Sequence, residues 1–537
     1  MSSKLSELSE TDHDRMIDAL SAHLSQAASE PASVIKTHIS SVILCGDRAY
    51  KLKRPVNLPF INFSTAEARR LDCEEELRLN RRTAAQLYLN VLPISGTVRQ
   101  PLLNGDGPTI DWVLCMRRFP QENLLSARLE AGTLKPDHID KLADHLAEFK
   151  RTFKALSPGQ LATLKPSEHW INESLDSISK GSPLVLPEEI KHVYAQVQQM
   201  VERLRPIQIE RQSKGCYREC HGDLHLANIV EIDGEIMAFD ALEFNEDLRN
   251  IDIINEFAFP FMDLLARQRA DLAWRLMSRV MELTGDYEGL LLLRFYALYR
   301  AIVRAKVAQL SRDPDGFGRY WSLARSLAQP PKAPHLIFVS GFSGSGKSTV
   351  AQILVEHAGG VRLRADIERK RLFAHATDQP ALLYSEHASD KTYDKLAEIS
   401  QMLLRQNINV IVDATFLEQR HVDRFSGLCD SPDWTAQAML CEASQSLMKS
   451  RITQRLKEAN DPSDATEDVL QRQLDKKSKS AVWPCQTIPV INNGTLEDLR
   501  QTLKPLLRQT IQANCARPLW AHQAPETPEI PEAPEAS

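Results

Sequence analysis

Two sets of residues in this sequence have the types and spacing for phosphate chemistry. The first lies in Cys220-His221-Gly222-Asp223-Leu224-His225-Leu226-Ala227-Asn228-Ile229, with Asp240 following in MAFDALEF. A loop aspartate, an asparagine five residues on and a second aspartate after a short apolar hairpin supply a proton acceptor and two oxygen ligands for Mg2+. The second set is LIFVSGFSGSGKSTV at 336–350, which contains Gly341-x-x-x-x-Gly346-Lys347-Ser348. A buried strand, a glycine-rich loop and a helix in that order build a triphosphate cradle. The loop residues Gly341, Ser343, Gly344, Ser345 and Gly346 turn backbone N–H groups toward phosphate oxygens. The helix beginning near Thr349 adds the positive end of its dipole. Lys347 reaches the terminal phosphates and Ser348 ligates Mg2+.

Further polar residues follow the second set. Asp366, in LRADIERKR, stands just beyond the second strand candidate of that half. An acid there faces the γ-phosphate, where an acceptor hydroxyl must be held and deprotonated. Asp413 ends the strand VIVD and is placed to reach Mg2+ directly or through water. Arg451 and Arg455 are four residues apart on one helical face, ahead of the polar run 459–466. That is the pattern of a lid whose arginines close on phosphate.

The elements that must position these groups divide the chain. At 537 residues the sequence exceeds one hydrophobic core, and two or three are expected. Residues 12–28 read as a leading helix. Residues 34–53 form a hairpin about Gly46-Asp47, 65–88 a long charged helix, and 111–118 a strand. The stretch 122–206 is mostly helical, with breaks near Pro158, Pro166, Pro183 and Pro187. Short strands return at 215–243 and helices at 250–328. The Pro-rich SLAQPPKAP at 326–334 marks a domain boundary. Beyond it, strand candidates at 336–340, 361–364, 408–412, 437–441 and 487–491 alternate with helices, which predicts a parallel α/β sheet covered on both faces. The expected division is 1–328, a linker at 329–334, 335–511, and a Pro/Glu tail at 512–537 with little to bury.

Composition narrows the partners. Hydrophobic residues are 43% and charged residues 25%, ordinary for a globular protein, and the net charge of −6 gives no bulk attraction to nucleic acid or anionic membrane. The nine scattered cysteines point to thiols in a reducing compartment, since Cys216 and Cys220 fit no common zinc spacing. No apolar leader opens the sequence and the longest aliphatic run, 290–293, is too short to cross a bilayer. A cytoplasmic location is expected.

The loop His221-Gly222-Asp223 with Asn228, and Asp240 after it, resembles the aminoglycoside phosphotransferase and choline kinase branch of the kinase-like fold, over roughly residues 34–310. The resemblance implies an α+β bilobal N-terminal domain with Asp223 as catalytic base and Asn228 and Asp240 as metal ligands. His221 would be a structural loop residue and Asp252 an acid supporting the loop. It also implies a strand lysine for the nucleotide phosphates and a glutamate to hold it. Ala49-Tyr50-Lys51 fits the strand pattern, with Lys53 as the second choice, and Glu76 fits best among the glutamates at 74–76. The usual glycine-rich loop of protein kinases is absent. The acceptor surface is expected in 122–206 and 255–306, with Tyr296, Arg300, Arg304 and Lys306 as candidates.

The C-terminal half resembles the small P-loop kinases, namely gluconate kinase, the zeta-toxin type and phage polynucleotide kinase. That likeness implies Asp366 as base, Arg369 and Arg420 as substrate or phosphate contacts, and Arg455 as the lid arginine. The pairing of halves is similar to bacterial proteins described as bifunctional aminoglycoside phosphotransferase/ATP-binding. The expected activity is transfer of the ATP γ-phosphate, with Mg2+, to the hydroxyl of a small molecule such as a sugar, polyol or aminoglycoside-like compound. The alternatives are a single active kinase beside a regulatory nucleotide switch, or a nucleotide-dependent binding module. The aromatic pattern for base stacking is thin, so nucleic acid is unsupported as a substrate of the C-terminal half. The acceptor, the oligomeric state and any coupling between the halves are left open by the sequence.

Overall fold

The structure is a computed structural model that describes residues 8–512 except 59–60, 182–184, 377–378, 459–464 and 476–480. The Pro/Glu tail and most of the polar run 459–466 therefore lie outside the described residues. The described chain forms two compact units. Within the described residues, one unit runs from residue 8 to 174 and takes in 198–263 and 283–300, and the other takes in 175–197, 264–282 and the described residues from 301 onward.

The first unit begins with the helix Glu10–Ala28, whose N-terminal amide at Asp12 is capped by Ser9. Its antiparallel sheet contains β1 (Ser33–Lys36), β2 (Ser40–Cys45), β3 (Arg48–Lys53), β6 (Tyr88–Thr97), β7 (Gln100–Leu103) and β8 (Thr109–Arg117). Their order is β1-β2-β3-β8-β6-β7, and a separate two-residue pair, β4 (Asn57–Leu58) and β5 (Ile61–Asn62), lies between β3 and the next helix in sequence. The expected hairpin at 34–53 is the meander β1-β2-β3, turning at Gly46 with φ 58°. Strands β6 and β7 were not expected. Pro93 and Gly96 within β6 disguised it, although Pro93 lies opposite Trp112 of β8 and Gly96 opposite Pro101 of β7.

Alternation along β2 and β3 places Ile43, Cys45 and Leu52 against Met16, Ile17 and Leu20 of the first helix. The helix Ala66–Ala84 carries Cys73, Glu76, Leu79, Asn80 and Thr83 on its buried face. Further along, β9 (Tyr217–Glu219) pairs with β12 (Asn250–Asp252), and β10 (Ile229–Ile232) with β11 (Glu235–Ala238). The loop 220–228 and residue 240 thus flank the β10-β11 hairpin.

The second unit holds a five-stranded sheet of β13 (His335–Ser340), β14 (Val361–Arg364), β15 (Val410–Asp413), β16 (Thr435–Glu442) and β17 (Gln486–Ile491). All pairings are parallel and the order is β14-β15-β13-β16-β17. Every residue of β13, β14 and β15 is buried, which accounts for the apolar runs Leu336–Val339 and Val410–Val412 in place of alternation, whereas β14 alternates Val361 and Leu363 with the buried Arg362 and Arg364. The strand ends bring Ser340, Arg364 and Asp413 to one edge, where ligands bind in open α/β sheets. Among the described residues, no helix is long and apolar enough to cross a membrane.

Candidate active sites

Strand alternation sends Lys51 and Lys53 of β3 to the same face. Lys51 Nζ donates to Glu76 Oε1 at 2.8 Å and to Asp240 Oδ1 at 2.6 Å. Lys53 Nζ lies 2.7 Å from Asp72 Oδ2 and 2.6 Å from Glu76 Oε2, and also bonds Glu243. Burial opposes the charge on both ammoniums. For Lys51 the carboxylates of Asp240 and Glu76 overcome that penalty, and for Lys53 those of Glu243, Glu76 and Asp72; each lysine is held well above its ordinary range. Burial likewise raises Asp240, but the Lys51 charge and hydrogen bond leave its carboxyl below the usual value. Glu243 goes the other way: burial pushes it up to about 7 against the pull of Lys53.

The loop 220–228 is braced from several sides. Glu256 accepts from the amides of His221 at 3.0 Å and Gly222 at 3.1 Å, and Asp263 accepts from Leu226 N at 3.0 Å. His221 Nε2 meets Phe239 O at 2.8 Å, tying the loop to the strand end before Asp240. Gly222 has φ 88°, and a Cβ there would sit 3.1 Å from Leu248 O, so glycine is required. Within the loop, Asn228 Nδ2 donates to Asp223 O at 2.9 Å and Asp223 Oδ2 at 3.2 Å. The Asp223 side chain is 35% exposed, open to an incoming molecule. Asp240 is held at φ 62°, its amide donating to Tyr88 Oη at 3.0 Å. Asn80 Oδ1 accepts from Ala241 N at 2.9 Å, so the helix carrying Glu76 also grips the Asp240 segment.

Two expectations change here. Asp252 does not brace the loop. It takes a two-pronged bond from Arg211, Nε to Oδ2 at 2.7 Å and Nη2 to Oδ1 at 2.8 Å, and caps Ile254 N. The loop-bracing acid is Glu256, one helical turn on, where the side chain faces back toward residues 221–222. Arg300 is no acceptor-facing group. It is buried, donating to Asn255 Oδ1 at 2.8 Å and Gly222 O at 3.0 Å, and stacks on Phe259. Tyr296 is also buried, and Arg304 lies over the Tyr320 ring. Glu256 and Asp263 had one visible signal, acids inside the apolar run IINEFAFPFMD. A charge in such a run needs a partner.

In the second unit, β13 leads through the loop 341–346 into the helix Lys347–Ala358. Gly341, Gly344 and Gly346 have φ 146°, 79° and 89°. A Cβ on Gly344 would come within 2.5 Å of Met448 O, a backbone atom with no room to give. Gly346 packs against Asn492, whose Nδ2 donates to Ser345 O at 2.9 Å and whose Oδ1 accepts from Arg451 at 3.2 Å. Ser343 N donates to Gln473 Oε1 at 3.0 Å. Neither Asn492 nor Gln473 belongs to a recognisable motif, so local spacing carries no signal for either. Lys347 Nζ spans the loop to Phe342 O at 2.9 Å, and burial lowers its pKa despite Asp413 and Asp366.

Asp413 is buried, with Oδ2 lacking a hydrogen-bond partner and 3.8 Å from Arg364 Nε. Asp366 is 34% exposed and accepts from Arg369 Nη1 at 3.1 Å, while Arg369 stacks over Tyr384. Arg420 pairs with Glu418 at 2.8 Å and Asp390 at 3.3 Å. Arg455 donates to Ala465 O at 3.0 Å and leaves Nε without a partner. Thr349 begins the helical amide pattern by bonding Gly346 O. Ser348 O accepts from Arg362 Nη1 at 3.0 Å, and Arg362 also binds Glu282 through Nε at 2.6 Å and Nη2 at 3.1 Å.

The donor sets fit a hard divalent cation. Asp240 with Asn228 in the first unit, and Ser348 with the unpartnered Asp413 oxygen in the second, are oxygen ligands of the kind Mg2+ takes beside phosphate.

Known proteins resemble the chain in both halves. A family model described as "AAA domain" matches residues 336–479. The uncharacterised protein Rv2004c of Mycobacterium tuberculosis (strain ATCC 25618 / H37Rv) is 29% identical over 452 residues, covering 81% of this chain and 88% of its own. Among solved structures, a choline/ethanolamine kinase family protein from Mesorhizobium loti is 13% identical, covering 59% of this chain and 96% of that one at a TM-score of 0.37. A gluconokinase from Sinorhizobium meliloti 1021 is 21% identical, covering 33% of this chain and 95% of that one at a TM-score of 0.26. The matched residues 336–479 span the glycine-rich loop and four of the five strands of the parallel sheet.

Proposed function

We propose that this protein is a two-site ATP-dependent phosphotransferase, each site moving the γ-phosphate to a hydroxyl of a small molecule. The observation that carries the reading is the first-unit constellation: Lys51 joined at once to Glu76 and Asp240, and Asp223 joined to Asn228. Lys51 would hold the α- and β-phosphates, with Glu76 fixing its ammonium. Mg2+, when bound by Asp240 and Asn228, supplies charge neutralisation at the phosphates. Asp223 then takes the proton of the attacking hydroxyl as the new oxygen–phosphorus bond forms and the bond to ADP breaks. In the second unit Lys347 and the loop amides would hold the triphosphate, Ser348 and Asp413 the cation, and Asp366 the acceptor proton. Arg369 and Arg455 would bear on the transferred group.

One feature favours a second reading, in which the P-loop unit binds and hydrolyses nucleotide as a switch. Arg420, the proposed substrate contact, is already neutralised by Glu418 and Asp390. The test uses full-length protein with ATP and a panel of sugars, polyols and aminoglycosides. Asp223→Ala and Lys347→Ala are each expected to remove a different transfer activity. If Lys347→Ala instead leaves every acceptor phosphorylated and removes only hydrolysis, the switch reading holds for the second site.

A further inference from the structure

Lys53 has no part in the phosphate chemistry above, yet it faces three carboxylates, those of Asp72, Glu76 and Glu243. Its side chain and that of Glu76 are 0% exposed. Asp72, Glu76 and Glu243 present carboxylate oxygens within 4.8 Å of one another, a grouping that would suit a cation. The ammonium of Lys53 lies within ion-pair distance of all three, so the cage already holds its positive charge.

The geometry is a ladder with two rungs. The first rung is Lys51, bridging Glu76 Oε1 to Asp240 Oδ1. The second is Lys53, bridging Asp72 and Glu76 Oε2 to Glu243. Both rungs start on β3, and both join the helix Ala66–Ala84 to the segment 240–243. Asp72 and Glu76 are one helical turn apart, so the helix is gripped at two levels. Four carboxyl groups face two ammoniums across the two rungs.

Where a strand lysine and a helix glutamate are the only tie, the helix can swing away, and catalysis waits on its return. Here a swing would strand a buried ammonium and buried carboxylates without water or partners, which is strongly unfavourable. Resting on the first-site reading above, we propose that Lys53 is a positioning residue that locks Lys51, Glu76 and Asp240 in their assembled arrangement. The first site is therefore built ready to work, with no separate activating event.

The test is carried out in full-length Lys347→Ala protein, in which the second site is silenced, with basal ATP hydrolysis as the readout. Asp223→Ala in that background reports whether the first site turns over. Lys53→Met is expected to lower kcat about tenfold or more, as misplacement of a phosphate clamp does. Glu76→Gln is expected to do the same, and the double variant to add little, because both act through one linkage. Glu243→Gln, which keeps Lys53 paired to two acids, should fold and give a smaller loss, checked against its thermal melt. A folded Lys53→Met with parental kcat would overturn the proposal, as would losses from Lys53→Met and Glu76→Gln that multiply. Absence of hydrolysis sensitive to Asp223→Ala in the parent would remove the first-site reading and take this proposal with it.

Discussion

Glu256 shows what a single buried side chain does here. It satisfies two loop amides at once, and truncation to alanine strands both donors. Glu256→Ala should cost about 2–4 kcal/mol, as two unsatisfied buried groups do, and remove first-site turnover. Urea unfolding measured beside activity checks both. Gly344→Ala drives a Cβ into the Met448 carbonyl at positive φ. It should abolish nucleotide binding by the P-loop unit while first-site turnover, read as loss on Asp223→Ala, persists. Titration adds a third expectation. Burial lowers His13, His145 and His221 to about 4. The unfolded chain takes up protons at these imidazoles below about pH 6.5, the folded chain only near 4. Stability is therefore held above that upper value and lost as pH falls through the interval, by at most about 3 kcal/mol per imidazole. His145→Phe, which can pack on Phe149, should flatten the unfolding free energy against pH by its share.

At the scale of elements, residues 270–282 of the helix Ala270–Thr284 belong to the P-loop unit although they precede the Pro-rich segment in sequence. Ser278 Oγ accepts from Arg362 N at 2.9 Å, Arg275 pairs with Glu356 at 2.5 Å, and Trp274 packs against the core cluster of this sheet and the helix Lys347–Ala358. Arg362 then links Glu282 on this helix to the carbonyl of Ser348 in the first turn of the helix Lys347–Ala358. Arg362→Met leaves Glu282 buried without its cation and should destabilise the unit by about 3–5 kcal/mol. Glu282→Gln is the milder variant. It should weaken nucleotide binding by this unit with little loss of melting temperature, measured by calorimetry and thermal melt.

For the whole molecule, the same interleaving bears on where the chain can be cut. A chain ending at residue 328 keeps the helix Ala270–Thr284 but loses its partners Glu356, Arg362 and the core around Val350. Such a fragment should bind a dye for exposed apolar surface and aggregate at concentrations where the full chain stays dispersed. Equal dye binding by fragment and full chain would count against this account of the packing.

The sequence alone determined the chemistry-bearing motifs, because that chemistry is written in local spacing. Gly341 to Ser348 is one contiguous loop, and Asp223, Asn228 and Asp240 flank one hairpin. Unbroken apolar runs likewise announced β13 and β15, since a strand buried on both faces is mostly apolar. Strand β6 stayed hidden because Pro93 and Gly96 carry local preferences that its tertiary pairing overrides. Tertiary structure alone decided which of two lysines meets Asp240, that Glu256 rather than Asp252 braces the loop, and that Arg300 faces inward. Those outcomes depend on side chains far apart in the chain meeting where water is excluded. Only there does an unpaired charge cost enough to dictate its partner.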